Sequence, residues 1–320
     1  MDNVPYEFID SVVELFDNDN IDTWLKSIEV TYWKDSMALH KTKRRHFIVN
    51  LRSQGESFEC LFSRLNHKAV HVDVLHKLGR RFARIYEIGD FGSDPFDRNE
   101  FTKMIKPFKP DAFKDFLLTL AKRQLVDGNT KVLKLNVNDV KLETFVTQTY
   151  FQQMYFTHLC LNHCGQISED FVKDHIDNYP HLRAVFLFGA WTDSIFPSVK
   201  KFSSRTRFSL VLNRTEIVFD YDYFEELLNR WNQNGKIAGF LACKISFDVS
   251  MLTEGMQTVA NEEGDVEDIV SFVRHEREKA IFICRENGQE EPLSVSSAYC
   301  TCDELEECYL KIGFPQLHQF

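Results

Sequence analysis

The sequence predicts a mixed α/β chain: a short N-terminal helical segment, then strand-helix units resembling a short leucine-rich-repeat-like open sheet, then a closing β-hairpin. Three observations predict this. Short apolar runs recur at 132–135, 157–161, 184–187 and 209–212, with Leu135, Leu161, Leu187 and Leu212 spaced by 26, 26 and 25 residues. Apolar residues at helical spacing lie between and after these runs, and more of them, also at helical spacing, fill the first fifty residues. A strand-helix unit that repeats evenly buries its face only against its neighbours, as in a solenoid. The alternative is an ordinary α/β domain with even strand spacing. Both arrangements place parallel strands in one sheet with right-handed crossovers.

Taken in order, Pro5 marks a helix start, and Phe8, Val12, Val13 and Phe16 form one helical stripe. Asp17-Asn18-Asp19-Asn20 breaks it, and a second helical set follows at Ile21, Trp24, Leu25 and Ile28, with Tyr32 and Trp33 after it. The basic run Lys41-Thr42-Lys43-Arg44-Arg45 reads as a solvated face. Near-alternating residues at 69–74 and 82–88, with Gly79 between, predict a hairpin, and 89–95 reads as a loop and a domain boundary. Asp111 is a candidate N-cap for a helix with the stripe Phe113, Phe116, Leu117, Leu120 and Ala121.

In the repeat-like region, helices are expected around Phe145, Val146 and Tyr150, behind Ser168, and from Phe224 to Trp231 behind an Asp222 and Glu225 capping box. A strand at 240–245 follows, then an acidic loop at 261–265, a hairpin at 269–274 and 279–285, and a last helix at 305–312. The expected division is 1–50, 51–110 and 111–320.

Composition limits the function classes. The 320 residues carry a net charge of −10, which argues against general nucleic-acid binding, because phosphate contacts need an excess of Lys and Arg. Twenty-nine Phe stand against 13 Gly, so an aromatic core is expected and phosphate-cradling loops are not. The first residues lack a signal peptide and no apolar run reaches membrane-spanning length, so a cytoplasmic or nuclear chain with reduced cysteines is expected.

Candidate chemistry is sparse. His158, Cys160, His163 and Cys164 are of zinc-ligating type, but a strand would point His158 and Cys160 away from the core-facing Leu159 and Leu161, and no distant second pair matches. Cys300, Cys302 and Cys308 form an incomplete set, and His275-Glu276-Arg277-Glu278-Lys279 lacks the second His of a zinc-protease helix. No nucleophile elbow, phosphate loop or dinucleotide turn occurs. The expectation is therefore a binding protein, not an enzyme, without cofactor or metal.

The run from Val4 to Phe16 resembles the opening of an F-box: an apolar-Pro pair, an amphipathic helix, and a second helix ending near a Trp, here Trp33. The second helix carries Ile21, Trp24 and Leu25 where that pattern is Leu-rich. The remainder is similar to the nematode-expanded group of F-box and F-box-associated-domain proteins, in the stretch from Tyr223 to Trp231 and in Phe272-Val273-Arg274 with Ala280-Ile281-Phe282. The resemblance implies a substrate receptor of a Skp-cullin-F-box ubiquitin ligase. Its N-terminal helices would bind a Skp-type adaptor and its C-terminal region an unknown target protein. The adaptor-binding residues would be Val4, Pro5, Phe8, Val12, Phe16, Trp24, Leu25 and Trp33, laid as helical apolar anchors into a partner groove. A scaffold that no longer docks the adaptor, and an enzyme using other residues, are the alternatives.

Overall fold

The computed structural model describes residues 4–16, 18–66, 68–90, 105–124, 131–135, 139–261, 268–286, 293–302, 308, 310–311 and 314–318. It is a mixed α/β fold that divides into two compact units, Met1–Phe171 and Val172–Phe320.

Unit 1 begins with three helices, α1 (Tyr6–Glu14), α2 (Asn18–Ser27) and α3 (Thr31–Lys43). Both α1 and α2 pack on α3, through a small core of Ile9, Val13, Ile21 and Met37. The inward stripe of α1 is therefore Ile9 and Val13, one position round from the expected Phe8. Ile9 and Val13 lie four residues apart on one face, and that face is closed by α3, which leaves Phe8 outside.

The sheet of unit 1 is built from β1 (Arg45–Gln54), β2 (Ser57–Arg64), β3 (Ala69–Val70), β4 (Ala83–Asp90), β5 (Lys106–Phe108), β6 (Val132–Leu135) and β7 (His158–Asn162). The order is β3-β2-β1-β4-β6-β7, with β5 also on β2. β1, β4, β6 and β7 run parallel. β1 and β2 form an antiparallel hairpin closed at Gln54 and Ser57. Gly55 takes φ +57° in its two-residue turn, a conformation glycine adopts without a Cβ penalty.

The expected hairpin at 69–74 and 82–88 is not there. Ala69 and Val70 form the two-residue β3, after which α4 (Val72–Phe82) leads into β4. Leu75, Leu78 and Phe82 recur at helical spacing, and this longer pattern outweighs six alternating residues. Helix α5 (Pro110–Gln124) starts with Pro at its first position, where the missing N–H costs nothing, so Asp111 lies in the first turn and does not cap it. Phe113 stacks on Phe58 at 4.7 Å, and Phe58 meets Phe145 of α6 (Val140–Tyr150) at 4.5 Å. These rings form part of the aromatic core that the Phe count predicts, each burial contributing roughly 2 kcal/mol. Asp139 caps α6 at Leu142 N and also accepts from Ser53 N and Oγ, which ties the helix to β1. The division between units falls within α7 (Gln166–Asn178).

Unit 2 contains β8 (Ala184–Phe188), α8 (Phe196–Ser203), β9 (Arg207–Asn213), β10 (Val218–Phe219), α9 (Tyr221–Asn234), β11 (Ala238–Ile245), α10 (Val249–Thr253), β12 (Gln257–Asn261), β13 (Asp268–Arg274), β14 (Ala280–Arg285) and β15 (Leu293–Tyr299). The order is β8-β9-β11-β15-β14-β13-β12, with β10 also on β11. β8, β9 and β11 are parallel, and β11 to β12 along that order are antiparallel. All four evenly spaced apolar runs are strands. The hairpin at 269–274 and 279–285 is present as β13 and β14. Helix α9 is capped by Asp220, whose side chain accepts from Tyr223 N at 3.0 Å, and not by an Asp222 and Glu225 box. The loop at 91–95, most of the acidic loop at 261–265 and most of the helix at 305–312 lie outside the described residues, as do the side chains of the stripe positions Leu120 and Ala121.

Candidate functional site

The N-terminal helices are held by a buried polar network. Arg44, 4% exposed, belongs to the basic run that reads as solvated in the sequence. Its guanidinium donates to the carbonyls of Val13 at 2.7 Å, Glu14 at 3.2 Å and Phe16 at 2.5 Å, so it satisfies the C-terminal end of α1. Arg84 adds a bond to Glu14 O at 2.7 Å. Arg44 Nε also donates to His40 Nδ1 at 3.1 Å, so the other imidazole nitrogen carries the proton and donates to Asp10 Oδ1 at 3.2 Å. The same Asp10 oxygen accepts from Ser36 Oγ at 3.0 Å and from Arg81. Burial, then the Arg44 charge, lowers His40 to about 4, so the ring is neutral at pH 7.

On this anchored base, large apolar side chains face solvent. Phe8 is 58% exposed, Trp24 49% and Leu15 61%, and Tyr6 and Tyr32 are also exposed. Of the residues that the resemblance nominates, Pro5, Phe8 and Trp24 are exposed. Val4, Phe16, Leu25 and Trp33 are half-buried against the Ile9, Val13, Ile21 and Met37 core, and Val12 is half-buried as well. Residues Leu15 and Tyr32 join the exposed set.

A second constellation lies at the end of unit 2. The Sγ atoms of Cys300, Cys302 and Cys308 and Nε2 of His318 all lie within 4.8 Å of one another. His318 Nε2 is 3.2, 3.3 and 3.5 Å from Cys300, Cys302 and Cys308, and Cys300 and Cys308 are 3.8 Å apart. The set that the sequence leaves at three donors gains a fourth through a histidine ten residues beyond the last thiol. Three contacts hold the frame. Cys300 N donates to Lys279 O at 2.6 Å, Arg274 donates to Leu317 O at 2.9 Å, and Thr301 N points at Cys308 Sγ at 3.4 Å. Cys308, Leu310 and Leu317 pack with Val270, Phe272, Ile281 and Ile283 of β13 and β14. Hydrogen bonding with Cys300 holds the Cys302 thiol up at about 11. At Cys308 the opposing effect of burial is outweighed by the backbone N–H groups of Thr301 and Lys311, which hold that thiol down at about 6.

A third feature is Glu143 on α6, 2% exposed. Burial, then the nearby Asp90 carboxylate, raises it to about 9, so it is a neutral acid at pH 7. The neighbouring residues do not assemble into a metal set among the described residues. Cys160 is buried with its thiol raised by desolvation, His158 Nδ1 lies 2.9 Å from Thr157 Oγ1, and His163 pairs with Glu169 at 3.4 Å. A depression lined by Lys200, Lys201, Tyr223 and Arg230 has its lysines engaged by Glu226 and Asp177 at 2.9 and 2.6 Å. His275 sits in the β13–β14 turn, bonded to Asn232 O at 2.9 Å and edge-on to Trp231.

No family model, curated protein or solved structure matches this chain. Among the described residues, no helix is long and apolar enough to cross a membrane. The functional reading therefore rests on the three features above. Sequence patterning missed the Asp10, His40 and Arg44 network, whose signal is a lone Asp between apolar helical positions and an Arg at a helix-strand junction.

Proposed function

We propose that this chain is a protein-binding substrate adaptor of the F-box type, which docks a Skp-type adaptor through α1 and α2 and presents its C-terminal region to a target protein. The observation that carries the reading is the exposure of Phe8 on α1, Leu15 at its C-terminal end and Trp24 on α2, two helices that pack on α3, with the C-terminal end of α1 held by Arg44 and Arg84. A surface helix normally turns its largest apolar groups inward. Aromatic groups left outside on a rigid base lose little entropy on binding and are suited to act as anchors in a partner's groove. The role needs no catalytic group.

The half-burial of Val4, Phe16, Leu25 and Trp33 favours a second reading, a binding scaffold whose N-terminal helices serve only its own fold. Co-purification with a Skp-type adaptor separates the two. The first reading expects a complex with the wild type and its loss with Phe8→Asp plus Trp24→Asp. Both positions are exposed, so these changes leave the fold intact. Binding retained by the double variant, or absent from the wild type, would support the scaffold.

A further inference from the structure

We propose that Cys300, Cys302, Cys308 and His318 bind one zinc ion in a closed, four-ligand structural site that fastens the C-terminal tail to the face of β13 and β14.

Geometry favours a metal over an accidental meeting of thiols. A tetrahedral zinc with bonds of about 2.3 Å to sulfur and about 2.0 Å to nitrogen sets its donors roughly 3.8 Å apart for sulfur pairs and roughly 3.5 Å for sulfur and nitrogen. The Cys300 and Cys308 sulfurs are 3.8 Å apart, and the three sulfur-to-nitrogen distances are 3.2 to 3.5 Å. A disulfide needs sulfurs near 2.05 Å, so the spacing suits a shared ion and not a bond. The cysteines are free thiols.

The chemistry selects the ion. Three thiolates and one imidazole suit a borderline-soft cation, and hard cations such as magnesium or calcium prefer oxygen donors. Four protein ligands leave no open position for water or substrate, so the site is structural. The surroundings fit as well. The N–H of Thr301 points at the Cys308 sulfur, and Cys300 is fixed by its own N–H on Lys279 O.

An ion at this site adds to the contacts that already fasten the tail to the sheet. Among the described residues from Cys300 to His318, the apolar contacts with the sheet are Cys300, Cys308, Leu310, Phe314 and Leu317. Binding that requires the folded arrangement adds its free energy to that arrangement, because the unfolded tail has no preformed site.

The test uses the full chain, purified under reducing, oxygen-free conditions, with bound metal measured by elemental analysis. About one zinc per chain is expected. Titration of the metal-free chain with zinc should restore it, and cobalt should give the ligand-field bands of a tetrahedral thiolate site. Cys302→Ser, at an exposed position, and His318→Ala should each abolish stoichiometric zinc, and His318→Cys, which keeps four donors, should retain it. A folded wild type that neither carries zinc nor takes it up would overturn the proposal. So would zinc undiminished in both Cys302→Ser and His318→Ala, or a Cys300–Cys308 disulfide in protein kept from oxygen. None of these outcomes depends on adaptor docking, since that surface belongs to unit 1.

Discussion

Replacing Arg44 by Met should release α1 from unit 1 while leaving unit 2 unchanged. The side chain is buried and donates to three carbonyls and one imidazole. Methionine keeps much of the volume and removes every donor. Glu14 O keeps a bond from Arg84, and Val13 O keeps one from Phe16 N at 3.0 Å. Phe16 O and His40 Nδ1 lose the Arg44 bonds. A hydrogen bond from a charged donor contributes about 1.5 to 3 kcal/mol, and such bonds within one network do not add fully, so the net loss should be about 2 to 4 kcal/mol. Arg44→Lys should fall between, because an ammonium cannot span the same carbonyls as a planar guanidinium. Hydrogen exchange resolved to short segments reads the effect locally. Amides of residues 9–16 should exchange about 30- to 1,000-fold faster, and those of β13 to β15 should not change. If α1 protection changes by less than about twofold, Arg44 is not what secures the helix, and the anchored-base argument for docking fails.

The other predictions concern single groups. Glu143 ionises near 4.5 in the unfolded chain and near 9 in the fold, so between those values the native state holds the extra proton. Its contribution to stability is complete below about pH 4.5 and is lost as the pH rises toward 9, at up to about 1.4 kcal/mol per unit. Denaturant midpoints followed across that range should fall with pH in the wild type and flatten in Glu143→Gln, and parallel profiles would contradict the assignment. Gly235 ends α9 with φ +34°, and a Cβ there would lie 2.6 Å from Glu278 Cγ and 2.7 Å from its Cβ. Gly235→Ala should destabilise unit 2 by about 1 to 3 kcal/mol, and an unchanged unfolding midpoint would refute this.

What the sequence made legible follows from where its information is local. β7 and β8 are read directly because buried parallel strands are near-continuous apolar runs, and β6 is read from Val132, Leu133 and Leu135 around an exposed Lys134. Helix α9 is read from Phe224, Leu227 and Trp231, and β13 and β14 from two apolar runs on either side of a charged turn. Where two periods compete over a few residues, local reading fails. Residues 69–74 alternate, yet their continuation to Phe82 is helical, and α1 offers two adjacent apolar stripes between which only the position of α3 decides. The β1–β2 hairpin hid behind one glycine at Gly55, and β15, with serines at 294, 296 and 297, carries too weak a pattern. At the sites, Phe8 and Trp24 are nominated by helical spacing and the F-box resemblance, and their exposure is a tertiary fact. His318 joins Cys300, Cys302 and Cys308 only through the path of the tail across the sheet, which no spacing rule encodes.

The central claim is that α1 and α2 form a docking element on a secured base. Hydrogen exchange of the full chain with and without a Skp-type adaptor tests it most directly. The account predicts slower exchange confined to residues 6–27 in the complex, abolished by Phe8→Asp plus Trp24→Asp. No protection there, or protection that survives the double variant, would contradict it.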